Sequence, residues 1–451
     1  MEKPPNVVCI IAHDLGTDVG AYQGVGPAPV YARGTLTPAI DQLAAEGTLL
    51  ENHFACAPLC SPARGTLITG RYPHENGLVG LVNRGFLLNP GERTIFHSLH
   101  AAGYRTILAG FQHETRDPTS TGYDERHAGL STATRPALIR TVDRLLEAAA
   151  TTGTPFWLNV GTNEVHRPWI TKAEPVAKRD VIVPPYLPDT PRVRKDIAAF
   201  LGVVKAFDDV VGGITSAVEK HGMRETTAIV VTTDHGIALP RAKGFLYDPG
   251  LRTTMIWSLP GTIESGARVE ALTSGIDFAP TVAAFCGFDA MPSYQGQSYL
   301  DQLEGTPDPS RDRDLVFAEK SYHDVYDPIR AVRSATHKLI LNYVPTPEAT
   351  SVPLDIKMGG SFKDWNRHAS KTPRPAVEFY DLRTDPNETT NLATNESPPP
   401  EMEAMKVALL DLMERTGDPI LHGPVPAPAT ARVDNARLFP HLKGRGRWPW
   451  S

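Results

Sequence analysis

Short, mostly apolar runs alternate with longer amphipathic segments from the N-terminus to about residue 260. The runs that read as strands are 6–12 (NVVCIIA), 105–110 (RTILAG), 156–161 (FWLNVG), 227–233 (TAIVVTT) and 254–259 (TMIWSL). Strands without a polar face are typical of parallel sheets that helices cover on both sides. The pattern therefore predicts an α/β domain in which a mostly parallel sheet lies between two layers of helices.

The segments between these runs carry helix signals. Segment 37–47 (TPAIDQLAAEG) has Thr37 as a cap and Pro38 in the first turn. Segment 136–150 and a long segment over about 191–220 repeat apolar residues at helical spacing. Helices that alternate with apolar strands favour parallel βαβ units.

The pattern of predicted elements changes after about residue 310. The stretches IRAVRSATHKLILNY and AVEFYDLRTDP read as antiparallel strands, and segment 400–417 reads as one amphipathic helix. A Pro- and Arg-rich tail follows from Gly423. We therefore predict two domains, an α/β domain over 1–310 and a smaller α+β domain over 311–451.

The composition of the 451-residue chain is that of a globular protein, with 41% hydrophobic and 21% charged residues. A net charge of −6 gives no reason to expect nucleic acid or a membrane surface as a partner. The four cysteines form neither a disulfide framework nor a zinc pattern. The start, MEKPPNVVCII, lacks the features of a signal peptide, so we expect a cytoplasmic protein. None of these features indicates an oligomeric state.

Polar side chains follow four of the predicted strands at the point where each strand ends. In chain order they are His13 and Asp14, His113, His166, and the pair Asp234 and His235. Because ligands of such sheets bind beyond the carboxyl ends of the strands, we expect these side chains to meet in one cleft.

Two Asp and two His in one cleft have the donor types of a divalent-cation site. Carboxylates suit Ca²⁺, Mg²⁺ or Mn²⁺, while imidazoles favour Mn²⁺ or Zn²⁺. Helix capping or a surface hydrogen bond would explain any one of these residues alone, but two Asp/His pairs favour a metal site. The pairs are His13 with Asp14 and Asp234 with His235. Lys243 follows in a loop and is a candidate cation for the same cleft, although a lone loop Lys is usually solvated.

The stretch CSPARGTLITG, residues 60–70, predicts a helix with Pro62 in its first turn and Gly70 as its stop. Cys60 then lies at the helix N-terminus, where free N–H groups and the helix dipole stabilise negative charge. Arg64 places a fixed cation about one turn later. These residues are typical of an anion site beside a reactive side chain, although a buried structural cysteine and a surface Arg would explain them too.

Several motifs are similar to those of the type I sulfatases. Cys60, Pro62 and Arg64 match the family's C-x-P-x-R signature, and CSPARGTLITGRYPHENGL resembles its long motif nearly throughout. AHDLG and TTDHG resemble its two metal-binding segments, KGFLYDPGLRTTMI its Lys-containing loop and EFYDLRTDPNETTNLA its C-terminal signature. VPPYLPDTPRVRKDIAAF and YHDVYDPIRAVR are similar to the heparan N-sulfatase branch and its bacterial relatives. The resemblance implies an alkaline phosphatase-like fold and covers the chain from Asn6 to about Ala393.

The resemblance also implies a role for each candidate residue. An oxidative maturation enzyme would convert Cys60 to formylglycine, whose hydrate attacks sulfur and later expels sulfate. The catalytic residues are then Cys60, Arg64 beside the hydrate, His113 as the base that releases sulfate, and His166 and Lys243 as sulfate-binding groups that help protonate the leaving atom. The implied metal ligands are His13, Asp14, Cys60, Asp234 and His235, and the ion usual in the family is Ca²⁺.

The chain departs from the family pattern at three positions. His13 stands where the family has a first Asp, and His235 stands where it has Asn. Ca²⁺ stays the expected ion, and these two imidazoles make Mn²⁺ and Zn²⁺ the alternatives to it. Phe111 stands where the family has a Lys two residues before the base, so one sulfate-binding cation is missing.

We therefore predict a sulfuric ester hydrolase that acts on a small sulfated substrate, a sulfate ester or sulfamate of a sugar such as N-sulfoglucosamine. The Asp-His pair at 234–235 also resembles phosphonate monoester and phosphodiester hydrolases of the same superfamily, which is the alternative enzyme. A third hypothesis is a glycan-binding protein without activity. The departure at Phe111 favours this third hypothesis, and the joint presence of the other site residues opposes it.

Overall fold

The predicted strands with polar ends lie side by side at the centre of one large sheet. The computed structural model describes residues 4–26, 36–127, 134–169, 173–394 and 396–439. Its strands are β1 Asn6–Ala12, β2 Thr48–Phe54, β3 Arg105–Gly110, β4 Glu125–His127, β5 Phe156–Gly161, β6 Thr227–Thr233, β7 Met255–Ser258, β8 Ala267–Ser274, β9 Val316–Tyr322, β10 Tyr326–Arg333, β11 His337–Asn342 and β12 Val377–Asp381.

The large sheet has eight strands in the order β4-β3-β5-β1-β6-β7-β2-β8. Only β7 runs against its neighbours among the described strands of this sheet, antiparallel to both β6 and β2. Strands β3, β5, β1 and β6 are consecutive and parallel, so their carboxyl ends share one edge. The mostly parallel sheet is confirmed. Strands β2, β4 and β8 carry polar or charged residues, so the apolar pattern of the sequence does not predict them.

Helices cover both faces of this sheet. The helices are α1 Pro38–Ala45, α2 Cys60–Thr69, α3 Pro73–Asn76, α4 Ile95–Ala101, α5 Arg135–Thr152, α6 Pro191–Lys220, α7 Asp248–Leu251, α8 Phe278–Phe285, α9 Leu300–Leu303, α10 Glu348–Ser351, α11 Leu354–Lys357, α12 Gly360–His368 and α13 Pro400–Arg415. Side chains of β1 alternate between two cores. Val8 and Ile10 pack in one core with α1, α5 and α6, while Val7 and Cys9 pack in the other with α2, α4 and α8.

Helix α1 begins where it is predicted to begin, with Thr37 at the N-cap position, but the Thr37 side chain does not cap the helix. The Thr37 hydroxyl donates to Asp41 at 2.9 Å and makes no capping hydrogen bond to the helix. Asp208 of α6 caps the helix instead, because its carboxylate accepts the N–H groups of Ala39 at 3.2 Å and Ile40 at 2.9 Å. A residue far away in the sequence therefore supplies the cap.

The second sheet is antiparallel, in the order β12-β11-β10-β9, and α13 packs on it through Met405, Leu409 and Met413. This confirms a smaller α+β unit in the C-terminal part of the chain, while the boundary at residue 310 stays a prediction. The predicted tail divides in two: Val425 in its first part is buried in a cluster with Leu78, and residues 440–451 lie outside the described residues.

No described helix combines the length and the apolar content that are needed to cross a bilayer.

Candidate active site

Cys60 lies where the ends of β1 and β6 meet the start of α2. Its side chain is buried, and its Sγ lies 3.4 Å from Nε2 of His235 and 3.8 Å from Oδ1 of Asp14. Burial opposes ionisation of the thiol, but the positive charges of His13, Lys243 and His235 hold its pKa well below the ordinary value. The site therefore favours an anionic or strongly polar group at position 60.

Five ligand-type side chains meet at this point in the described part of the chain. Their ligand atoms all lie within 4.8 Å of one another, and all five residues are buried. They are His13, Asp14, Cys60, Asp234 and His235. The structure thus brings together the whole set of residues that the sequence predicts as metal ligands.

The backbone of Asp14 helps to hold this cluster together. Its φ of 61° is left-handed, a conformation that Asp tolerates better than most residues. Its N–H donates to Oδ1 of Asp234 at 3.0 Å. Oδ1 of Asp14 faces Nδ1 of His13 at 2.8 Å and Nε2 of His235 at 3.0 Å. These contacts therefore hold the carboxylates of Asp14 and Asp234 next to each other.

The two imidazoles offset the negative charge of the cluster. Burial opposes protonation of His13, but Cys60 and the two carboxylates raise its pKa to about 9. Burial opposes protonation of His235 as well, and Asp234 and Asp14 raise its pKa well above the ordinary value. A divalent cation bound among the same atoms would replace these two protons, so the donor set fits a metal ion.

The donor types bear on which ion would bind. Two imidazoles and two carboxylates differ from the all-oxygen set that Ca²⁺ ordinarily takes. Imidazole nitrogen suits Mn²⁺ and Zn²⁺, which also accept carboxylate oxygen. The cluster therefore fits a divalent metal with mixed nitrogen and oxygen ligands.

The second oxygen of Asp14 faces a cation on the other side of the cluster. Nζ of Lys243 donates to Oδ2 of Asp14 at 2.7 Å and to Oδ2 of Asp355 at 2.8 Å. Burial alone would lower the pKa of Lys243, but these two carboxylates raise it well above the ordinary value. Lys243 is therefore a buried ammonium group beside Cys60.

His166 lies at the more open end of the site. Its Nε2 is 3.9 Å from Oδ2 of Asp14 and 3.8 Å from Oδ2 of Asp355. Burial and the charge of Lys243 lower its pKa to about 4. Nδ1 of this neutral ring donates to the carbonyl oxygen of Arg167 at 2.6 Å, so Nε2 faces the site without a proton.

Arg64 connects α2 to the same two strand ends. Its Nε donates to Oδ2 of Asp234 at 2.9 Å, and its Nη2 donates to the carbonyl oxygen of Ala12 at 3.1 Å. Nη1 lies 3.7 Å from Oε1 of Glu114 and has no hydrogen-bond partner among the described residues. A buried guanidinium nitrogen without an acceptor is well suited to bind an oxygen of an anionic ligand.

His113 follows β3 and lies close to the ring of His13. Its ring centroid is 6.2 Å from that of His13, so it is near the cluster without contacting Cys60 in the described geometry. Phe111 packs beside both rings, with its ring centroid 5.0 Å from the His13 ring and 5.7 Å from the His113 ring, and the Arg64 guanidinium lies 5.4 Å from it. The residue that departs from the family pattern is therefore an aromatic ring packed on two polar site residues.

The structure adds two acidic residues that the sequence does not predict. Asp355 lies on the short helix α11 and reaches Lys243 from the C-terminal part of the chain. No strand end or motif marks it. Glu114 faces Arg64 and directly follows His113, so a search for carboxylates at the strand ends would have found it.

This arrangement is that of the hydrolases with an alkaline phosphatase-like fold. Two family models match the chain: Sulfatase over residues 5–288, and N-sulphoglucosamine sulphohydrolase, C-terminal, over residues 240–353. The first match covers more than half of the sequence, and the chain belongs to the sulfatase family.

Individual relatives agree with this assignment. The chain is 28% identical to human N-sulphoglucosamine sulphohydrolase over 487 residues, which covers 94% of this chain and 92% of the relative. It is 27% identical to an ulvan-active sulfatase of Formosa agariphila, over 92% of this chain and 75% of the relative. A structure in complex with its substrate D-glucosamine-2-N,6-O-disulfate shares the fold, with a TM-score of 0.70, 19% identity and coverage of 94% and 99%.

The comparisons confirm the predicted class of enzyme. The protein is a sulfatase, a sulfuric ester hydrolase, and the phosphonate or phosphodiester alternative is not favoured. The family generally uses a divalent metal and a formylglycine, and the buried cluster brings together side chains of the types that bind such a metal. The roles of the individual site residues stay predictions.

Proposed function

We propose that the protein removes the sulfate group of an N-sulfoglucosamine-like sugar and that residue 60 acts as formylglycine. One observation carries the proposal: Sγ of Cys60 lies within hydrogen-bonding reach of a buried ligand cluster at the N-terminus of α2. A formylglycine at this position supplies a hydrated aldehyde as the nucleophile. A formylglycine-generating maturation enzyme in the producing cell is then a required partner.

His13, Asp14, Asp234, His235 and residue 60 would hold a divalent metal, which would supply positive charge to stabilise the sulfate group. The residues of this chain prepare the site for that ion. The hydrogen bond from the Asp14 N–H to Asp234 at 3.0 Å keeps both carboxylates aimed at one point. The buried Arg64 donates from Nε to Oδ2 of Asp234 at 2.9 Å, which restrains the orientation of that carboxylate.

Lys243 and His166 form the sulfate-binding side of the proposed site. Lys243 is a cation held between Asp14 and Asp355, so its charge stays in place without a substrate. It binds a sulfate oxygen and donates a proton to the leaving atom. His166 is oriented by its hydrogen bond to the Arg167 carbonyl and offers Nε2 to the same substrate group. His113 is the proposed base that restores the aldehyde.

Similarity to human N-sulphoglucosamine sulphohydrolase over nearly the full length of both chains supports the proposed substrate. The second family match covers residues 240–353, the segment that contains Lys243 and most of the small sheet. This segment leads directly to Asp355, so the part of the chain that resembles the N-sulfatase branch forms one wall of the site.

The test uses protein from a host that contains the maturation enzyme. Tandem mass spectrometry of the peptide that contains Cys60 measures the mass at that position. Turnover is then compared for N-sulfoglucosamine, an aryl sulfate and an aryl phosphodiester. We expect a mass deficit that matches an aldehyde in place of the thiol, and the highest kcat/KM on N-sulfoglucosamine.

Cys56 provides a matched control, because it is buried four residues earlier and its Sγ bonds to Ser274 at 3.1 Å outside the cluster. Cys60→Ala abolishes turnover in the proposed mechanism, while Cys56→Ala retains it. Chelation abolishes turnover as well, and adding back Ca²⁺, Mn²⁺ or Zn²⁺ separately identifies the ion. Appreciable activity in Cys60→Ala, or preference for the phosphodiester, contradicts the proposal.

A further inference from the structure

Glu114 is a buried acidic residue beside the site, and the proposed mechanism gives it no role. It directly follows His113, and its side chain is 4% exposed. Its Oε2 accepts the backbone N–H of His113 at 2.7 Å. Its own backbone N–H donates to the side-chain oxygen of Gln112 at 2.9 Å. These hydrogen bonds hold the carboxylate of Glu114 in place shortly after the end of β3.

The other oxygen of Glu114 faces Arg64. Oε1 lies 3.7 Å from Nη1 of Arg64, too far for a hydrogen bond, and Nη1 has no hydrogen-bond partner among the described residues. Burial opposes the charge of Arg64, but Asp234 and then Glu114 raise its pKa above the ordinary value. A ligand oxygen that accepts from Nη1 therefore lies within about 7 Å of Oε1.

Little water separates these charges. Arg64 is fully buried, and the ring of Phe111 lies 5.4 Å from its guanidinium. Charges in such surroundings interact over longer distances than exposed charges, because water and salt screen them less. The Glu114 carboxylate therefore repels an anion at Nη1 of Arg64 without having to contact it.

Four carboxylates flank Arg64 and Lys243, the two fixed cations of the site. The four are Asp14, Asp234, Asp355 and Glu114. They outnumber the fixed cations by two, which is the charge of one divalent metal ion. Glu114 differs from the other three, because it makes no hydrogen bond to its cation. Replacing it with a neutral residue would leave one surplus positive charge beside a bound divalent ion.

Resting on the function proposed above, we propose that Glu114 is a specificity-determining residue that disfavours doubly charged tetrahedral anions relative to singly charged ones. Sulfate esters and sulfamates carry one negative charge at neutral pH. Free sulfate carries two, and a phosphate monoester carries nearly two. The repulsion by Glu114 grows in proportion to the charge of the ligand. Glu114 therefore assists release of the sulfate product and weakens binding of phosphate monoesters.

The test compares two tetrahedral anions of similar shape, sulfamate with one negative charge and inorganic sulfate with two. Calorimetry measures the Kd of each for the full chain carrying Cys60→Ala, in buffer that contains the metal ion, so the result does not depend on turnover. We expect Glu114→Gln in this background to lower the Kd of sulfamate about threefold and that of sulfate about tenfold. Doubling the ligand charge doubles the change in binding free energy, so it squares the fold-change.

Glu92→Gln is the matched control, because Glu92 pairs with Arg71 at 2.8 Å and makes the same kind of contact outside the site. It is expected to change neither Kd. Glu114→Asp keeps the negative charge and is expected to keep the ratio of the two Kd values that the parent shows.

An equal change for the two anions, or a rise of both Kd values, overturns the proposal and makes Glu114 a support for the Arg64 side chain. Loss of the parent's ratio in Glu114→Asp does so as well. The parent gives a measurement that needs no variant at position 114. It is expected to bind sulfate no more tightly than sulfamate, and a several-fold preference for sulfate overturns the proposal.

The proposed function fails in a different experiment. If the active enzyme does not hydrolyse N-sulfoglucosamine, the proposed substrate is wrong, but the ratio of the two anion affinities is still measured in the Cys60→Ala background. The two failures are therefore distinguishable.

Discussion

Asp14 serves two groups of partners at once. Oδ1 faces the imidazoles of the metal cluster, and Oδ2 accepts from Lys243 at 2.7 Å on the substrate side. The left-handed backbone at φ 61° is what presents the carboxylate to both. A single residue thus links the metal cluster to Lys243, the proposed sulfate-binding cation. A change of charge in the metal cluster therefore alters the hydrogen bond between Asp14 and Lys243.

Arg64→Lys is expected to lower kcat about a hundredfold while leaving the fold intact. Arg64 donates from Nε to Asp234 and from Nη2 to the Ala12 carbonyl, and it keeps Nη1 for a ligand. A lysine has one nitrogen and cannot fill these three positions. Steady-state kinetics on an aryl sulfate and thermal unfolding measure the two effects separately.

Arg71→Lys is the control for this change, because Arg71 pairs with Glu92 at 2.8 Å just beyond α2 and is 24% exposed. It is expected to retain full activity. If Arg64→Lys retained more than about a tenth of the wild-type kcat, the guanidinium would not be the group that orients the site.

The sequence reveals the site residues that follow apolar strands, because the strand pattern states where each strand ends. His13, Asp14, Asp234 and His235 are predicted for this reason. Asp355 is different, since it lies on a four-residue helix and reaches Lys243 only through the packing of the C-terminal part of the chain. Local patterns carry no information on such a contact.

The same limit applies to whole elements. Strands β3, β5, β1 and β6 are predicted because they are buried on both faces, whereas β2 carries Glu51 and Asn52 and lacks that signature. The cap of α1 is predicted at Thr37 but comes from Asp208, because tertiary packing places a carboxylate of α6 over the helix start.

Asp208→Asn is expected to change how stability depends on pH. Burial raises the pKa of Asp208 to about 6, above its ordinary value near 3.8. A carboxyl group whose pKa is raised by folding stabilises the protein in its protonated form. This contribution is complete below about pH 3.8 and is lost as the pH rises through about 6. The free energy of unfolding of the wild type, relative to the variant, therefore falls between about pH 4 and pH 7.

Urea unfolding of both proteins across this range measures the difference. The active-site histidines are common to both proteins, so their titration cancels. The Asn side chain can still accept one N–H of α1, which keeps the helix start in place. If the stability of the wild type relative to Asp208→Asn instead increased with pH, the Asp208 carboxylate would cap α1 in its charged form without a cost of burial.

Gly70→Ala is expected to destabilise the protein by about 2 kcal/mol and to leave the activity of folded molecules unchanged. Gly70 ends α2 with φ 62°, and a Cβ there would lie 2.7 Å from Cδ1 of Tyr294. Both the backbone conformation and this contact oppose a side chain.

Gly222→Ala separates these two causes. Gly222 follows α6 with φ 65°, and a Cβ there meets nothing within 4 Å, so only the backbone cost of about 1 kcal/mol applies. Chemical unfolding of the two variants gives the packing term as the difference. Equal losses would show that the Tyr294 ring moves aside without cost.

At the scale of the whole molecule, a buried histidine joins the segment after α2 to the small sheet. His74 on α3 contacts Glu319 on β9, through Nδ1 at 2.5 Å, and its backbone N–H donates to the same carboxylate at 2.7 Å. Its Nε2 contacts the hydroxyl of Thr416 just after α13 at 2.9 Å. One side chain thus links the large sheet domain to two elements of the small one.

His74→Gln is therefore expected to weaken this junction in a pH-dependent way. Burial opposes the charge of His74, but Glu319 and then Asp418 raise its pKa above the ordinary 6.5, against the smaller effect of Arg330. The ion pair contributes about 2 kcal/mol below pH 6.5, and this contribution is lost as the pH rises through the raised pKa. Because the loss affects the junction, the C-terminal part that carries Asp355 is expected to detach first.

Unfolding of the wild type and the variant at pH 6 and pH 9, with hydrogen exchange on β9 and α13, tests this expectation. The wild type should exceed the variant at pH 6 and approach it at pH 9, with the largest gain in exchange on the small sheet. An equal difference at both pH values would assign the stabilisation to the neutral hydrogen bonds of His74. Uniform exchange across both sheets would mean that the junction opens only with the whole molecule, and Asp355 would then keep its place beside Lys243 until global unfolding.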